Sequence, residues 1–179
     1  MQKNIPKVFI LDVDGVMTTG QFLYSKKGKD YKIFGPDDSD ALKLLNKFIE
    51  IRFVTADKRG LAISKKRIVK DMGYKLDLVS SFDRLEWISK RYNPKDVVFM
   101  GDGLFDFIVM EKIGVSMAPS NAEFFTKKCA DIVTKNSGKI LKVEEWGLRI
   151  LSHDIKSNKK VFYFHFKIEG NGNTVGALE

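Results

Sequence analysis

The sequence predicts an α/β sandwich of three layers around a mostly parallel sheet, and two observations predict it. Short, nearly continuous apolar runs (Val8-Phe9-Ile10-Leu11, Ile51-Arg52-Phe53-Val54 and Val97-Val98-Phe99-Met100) alternate with longer stretches of helical spacing. Such runs fit strands buried on both faces, which arise when helices cover both sides of a parallel sheet. With 179 residues, 44% of them apolar and 30% charged, the chain can bury one core and is not disordered.

The elements follow in order. After the first strand, Gln21 to Ser25 and Asp30 to Phe34 flank the polar turn Lys26-Lys27-Gly28-Lys29 and read as a β-hairpin over 21–34. Leu42, Leu45 and Ile49 give a helix whose cap and first-turn acids come from Asp37 to Asp40. Leu61, Ile63, Ile68 and Met72 mark a second helix closed by Gly73. Helical stretches follow at Leu85 to Tyr92, Phe105 to Ile113, Ala122 to Cys129 and Ile140 to Leu151. Leu78-Val79, Val115 to Met117 and Asp131 to Val133 are shorter strand candidates. Residues 1–156 thus read as one domain, and 157–179 as a tail in which Phe162, Phe164 and Phe166 alternate with Tyr163, His165 and Lys167, the period of an extra strand. The tail suggests no role.

Composition excludes several classes. A single cysteine, Cys129, builds neither a disulfide framework nor a cysteine-based zinc site and points to the cytoplasm. The first apolar run is stopped by Asp12, which is unlike a secretory signal, and nothing approaches a membrane span. The net charge of +8 suits an anionic partner. No basic patch interleaved with aromatics accompanies it, so a nucleic-acid-end phosphatase ranks low.

Two acidic loops each follow a buried strand, Asp12-Val13-Asp14-Gly15 and Gly101-Asp102-Gly103-Leu104-Phe105-Asp106. In an open α/β sheet both would converge beyond the carboxyl ends of the strands. Carboxylates gathered there repel one another, and oxygen ligands of this kind favour Mg²⁺. Of Asp12 and Asp14, one can attack phosphorus to form an aspartyl-phosphate and the other can serve as acid and base. Thr55, at the end of another strand, can hold phosphate oxygens, and Lys58, Arg59 and Arg84 are candidate cations.

Asp-x-Asp-Gly-Val-x-Thr-x-Gly, a strand-end Thr and a late Gly-Asp-Gly-x-x-Asp, in that order, resemble the haloacid dehalogenase superfamily of phosphatases. The Thr-Thr-Gly ending, the early hairpin and the lack of a cap-sized insertion resemble its capless branch, which acts on 3-deoxy-octulosonate 8-phosphate or nonulosonate 9-phosphate. The similarity runs from about residue 7 to about residue 151. It implies a Rossmann-like fold, with Asp12 as nucleophile and Asp14 as general acid/base. Mg²⁺ would be held by the Asp12 side chain, the Asp14 backbone carbonyl and Asp102, with Asp106 supporting. Phosphate would be bound by Thr55, Ala56 and Arg84. A homotetramer formed through the hairpin, with a neighbouring subunit closing each site on a small phosphorylated sugar acid, is likewise implied.

The chain departs from that pattern in three places. Arg84 stands where the family has Lys, Thr55-Ala56 where it has Thr-Gly, and its Gly-rich segment is reduced to Asn136-Ser137-Gly138-Lys139. Arg84, Ala56 and the aromatic tail also motivate a non-catalytic binding or scaffold subunit as an alternative. His153 and His165 lack partners at metal spacing; Trp87, Trp146 and the many Phe residues read as core, and Lys65-Lys66-Arg67 as a solvated helix face.

Overall fold

Strand β1 (Val8–Asp12) is buried along its whole length, as its unbroken apolar run requires. In the computed structural model, which describes residues 6–135, it lies centrally in a six-stranded sheet. The order is β5 (Lys75–Leu78), β4 (Glu50–Thr55), β1, β6 (Val97–Met100), β7 (Val115–Ala118) and β8 (Ile132–Val133), and every pairing is parallel. The chain builds outward from β1 to β4 and β5, then returns to its other side for β6, so the topological switch lies between β1 and β6.

Alternation along β1 serves two cores. Phe9 and Leu11 face Leu42, Leu45, Phe53 and Ile68, whereas Val8 and Ile10 face Ile88, Phe99 and Val109. The first face is covered by α1 (Asp37–Leu45) and α2, which starts as an α-helix at Leu61–Ser64 and widens into a π-type turn over Lys65–Asp71. The second is covered by α3 (Arg84–Ser89) and α4 (Phe107–Met110), the latter entered through a 3₁₀ turn at Leu104–Asp106. Helix α5 (Phe124–Cys129) links β7 to β8. The three-layer parallel sandwich is therefore as expected.

The hairpin, β2 (Thr18–Ser25) and β3 (Gly28–Phe34), is a separate antiparallel pair and begins three residues earlier than its sequence reading. Helix α1 has Pro36 at its cap, which has no side chain to accept a bond, so the expected acidic cap is replaced by a backbone bond from Ser39 N–H to Pro36 C=O. The reading of Phe as core holds for Phe9, Phe53 and Phe99, but Phe82, Phe105, Phe124 and Phe125 are exposed on loops and first helical turns. Trp87 is only partly buried at the edge of the second core. Lys65 and Lys66 are exposed, and Arg67 is half-buried and donates to Gly35 C=O. The 136–139 segment, the 140–151 helix, Trp146, His153, and the 157–179 tail with its alternating strand and His165 lie outside the described residues.

Candidate active site

The carboxyl ends of β1, β4 and β6 bring the predicted residues together. Asp12 ends β1, where its Oδ1 accepts the Val13 N–H at 2.7 Å. The loop behind it is tied by Thr18, whose hydroxyl accepts the N–H groups of Gly15 (3.1 Å) and Gly20 (3.2 Å). That role explains the Thr in the motif, a small buried acceptor that closes the turn. Gly15 has φ +75°, and a Cβ there would fall 1.8 Å from Asp102 Oδ2. Glycine is required twice over, by conformation and by the approach of the second acidic loop.

Asp102 and Asp106 enter from the other side of the switch point. One carboxylate oxygen from each of Asp12, Asp102 and Asp106 lies within 4.8 Å of the others. Asp106 accepts the Gly103 N–H at 2.9 Å, and Arg84 Nη1 donates both to it (2.5 Å) and to Asp12 Oδ2 (3.0 Å). Arg84 is buried at the start of α3 rather than presented to solvent. Burial raises the Asp12 carboxyl to about 6; Arg84 pulls it down, and Asp106 adds to the rise. Burial raises Asp106 as well, against the pull of Arg84. Three carboxylates close together, two of them joined to a single guanidinium, leave an excess of negative charge among oxygen ligands, which fits a hard divalent cation.

The Asp14 side chain is held by a different set of partners. Both of its oxygens contact Lys32 Nζ, at 2.8 and 2.9 Å, and Oδ2 accepts from the Thr55 hydroxyl at 3.3 Å. Thr55 is fully buried and also accepts the Asp57 N–H at 3.1 Å, whereas Ala56 is exposed beside it. Lys58 and Arg59 are exposed on the loop after β4. Sequence reading missed Lys32 and its partners Asp57 and Ser64, as well as Asn121, which donates to Gly15 C=O at 3.3 Å. A lysine flanked by apolar residues on a hairpin carries no motif.

Comparison with known proteins decides the family. The chain is 31% identical over 137 residues to the 3-deoxy-D-manno-octulosonate 8-phosphate phosphatase KdsC of Escherichia coli K12, covering 74% of this chain and 72% of that one. The chain belongs to the KdsC phosphatase family. Its relatives in that family are named as phosphatases, and its fold is that of the haloacid dehalogenase hydrolases. The structure of the KdsC-type enzyme of Moraxella catarrhalis, in complex with magnesium ion, phosphate ion and a KDO molecule, superposes with a TM-score of 0.69 at 21% identity, covering 82% of this chain and 86% of that one.

A second likeness overlaps the KdsC-like region. A family model for ribosomal protein S6 matches residues 114–179. The small ribosomal subunit protein bS6 of Pelagibacter ubique is 45% identical over 62 residues, 35% of this chain, and the match spans about half (51%) of that relative. In the described residues, the start of this stretch supplies β7 and β8 to the parallel sheet, with α5 between them. The stretch therefore runs across both the 1–156 domain and the 157–179 tail of the sequence reading.

Proposed function

We propose that this chain is a Mg²⁺-dependent phosphomonoesterase acting on a small acidic sugar phosphate of the 3-deoxy-octulosonate 8-phosphate or nonulosonate 9-phosphate type. The observation that carries the reading is the meeting of Asp12, Asp102 and Asp106 at the switch point, with Asp14 held alongside. The KdsC relationship supports the sugar-acid class, and the magnesium ion in the Moraxella catarrhalis complex supports the metal.

Asp12, Asp102 and the Asp14 backbone carbonyl would hold Mg²⁺, which offsets the charge of the transferring phosphoryl group. Asp12 attacks phosphorus as the ester bond to the sugar oxygen breaks, and Asp14 gives that oxygen its proton. Asp14 then takes a proton from water, whose oxygen attacks the aspartyl-phosphate, releasing phosphate and restoring Asp12. Arg84 spans Asp12 and Asp106, orienting the nucleophile and reducing repulsion between the two. Thr55 and the exposed backbone at Ala56 are the phosphate-side contacts.

The hairpin supports homotetramer assembly. Leu23, Tyr24, Tyr31 and Ile33 are all exposed on it, an apolar surface suited to a second copy in the cytoplasm. No helix among the described residues is long and apolar enough to cross a membrane.

Phosphate release from eight- and nine-carbon keto-acid phosphates, with and without Mg²⁺, tests the reading. Asp12→Asn should lower turnover by on the order of 10⁴-fold or more without unfolding the chain; undiminished turnover would refute the mechanism. A second reading, favoured by the S6 match over 114–179, is association with the small ribosomal subunit. Absence of cosedimentation with that subunit removes it.

A further inference from the structure

Lys32 is a buried charge that the reaction just described does not use. Its side chain is fully buried, and its ammonium contacts four oxygens: both of Asp14 (2.8 and 2.9 Å), Asp57 Oδ2 (2.8 Å) and Ser64 Oγ (2.8 Å). Asp57 is held in turn by Lys29 at 2.6 Å. Two ammonium groups and two carboxylates balance, which is what permits their burial.

The strand is turned to deliver this lysine. Tyr31 and Ile33, on either side of it, are 65% and 45% exposed, so β3 directs its cation inward and its apolar groups outward. Packing alone would favour the opposite orientation. Room is made from the facing loop, where a Cβ on Gly60 would meet Asp57 Oδ2 at 2.2 Å and Lys32 Cε at 2.6 Å.

We propose that Lys32 is a positioning residue: it grips the Asp14 carboxylate from the hairpin side and aims it for proton transfer at the leaving oxygen. Asp57 and Ser64 fix the ammonium, and Lys29 fixes Asp57. The Asp14 side chain keeps 18% of its surface exposed, whereas that of Lys32 is fully buried. The inference rests on the phosphatase reading and deepens it, because it assigns part of the catalytic geometry to the hairpin.

Leaving-group dependence tests it in the full-length protein with Mg²⁺. An alkyl phosphate such as a sugar phosphate needs a proton on its departing oxygen, whereas p-nitrophenolate departs without one. Lys32→Met should therefore lower kcat for the sugar phosphate by roughly 10- to 100-fold, with KM changed by less than about 3-fold. The first-turnover burst of p-nitrophenolate should keep its wild-type rate. Lys32→Arg should restore part of the loss, and Ser64→Ala should give a smaller loss with the same substrate pattern, which keeps the test readable if Lys32→Met fails to fold. In the Asp14→Asn background, Lys32→Met should add almost nothing.

Equal slowing of the sugar-phosphate and p-nitrophenyl phosphate first steps, or additive losses in the double variant, would overturn the proposal. So would loss of activity in Asp14→Asn with none in Lys32→Met. A wild-type protein that releases phosphate from neither substrate would overturn the phosphatase reading instead.

Discussion

Arg84 Nη1 donates to Asp12 Oδ2 at 3.0 Å, joining residues 72 apart in sequence, and the same nitrogen reaches Asp106. Removing the guanidinium strands two buried carboxylates beside each other. Arg84→Met should therefore destabilise the metal-free protein by about 3–5 kcal/mol in urea denaturation at neutral pH. Arg84→Lys, which keeps the charge without the fork, should lose less. A Met variant within about 1 kcal/mol of wild type would show that the bridge does not bear on stability.

The close approach of Asp102 to Gly15 bears on the proposed metal site. At φ +75°, with a Cβ position 1.8 Å from Asp102 Oδ2, Gly15→Ala must displace that carboxylate. Mg²⁺ affinity by calorimetry should fall at least about 10-fold, the scale seen when groups that orient metal ligands are disturbed. An unchanged Kd would remove Asp102 from the ligand set.

Mg²⁺ should also stabilise the fold. At 100 times its Kd a ligand that binds only the native state contributes about 2.7 kcal/mol. A melting temperature that rises with Mg²⁺ in wild type, and not in Asp102→Asn, is the expected result; equal shifts in both would place the ion elsewhere.

The Asp57 carboxyl sets an acid limit. Burial pushes it up, but hydrogen bonds from Lys29 and Lys32 and from the Gly60 N–H outweigh this and hold it at about 2, below its ordinary 3.8. A depressed carboxylate adds stability above its unfolded value, and that stability is lost as pH falls through the folded one. The advantage of wild type over Asp57→Asn should thus be complete above about pH 4 and shrink toward pH 2. An advantage independent of pH across that window would contradict the ion pair.

How much of this was legible in the sequence follows from the kind of signal each residue carries. β1, β4 and β6 are nearly continuous apolar runs because both faces are covered, and Asp12, Thr55 and Asp102 were legible because each breaks or follows such a run. The position of Arg84 was readable, but its burial was not, since burial depends on Asp106 arriving from a different loop. Lys32 was invisible as one of 31 basic residues, and its apolar neighbours pointed the strand the wrong way round. Phe82, Phe105, Phe124 and Phe125 were misread because residue type does not say which side chains fall on loops and first helical turns. The S6 likeness from residue 114 was not read from the sequence, where this stretch carries none of the acidic-loop or phosphate-site residues.

Strand β3 carries its lysine and its apolar residues on opposite sides of a backbone one residue thick. The outward groups Tyr31 and Ile33 and the ammonium that holds Asp14 are therefore adjacent on one strand. If the outer side is where copies meet, specific activity should depend on enzyme concentration, falling on dilution as the strand loses its backing and recovering on concentration. Catalytic competence would then be a property of the assembled particle rather than of each chain alone.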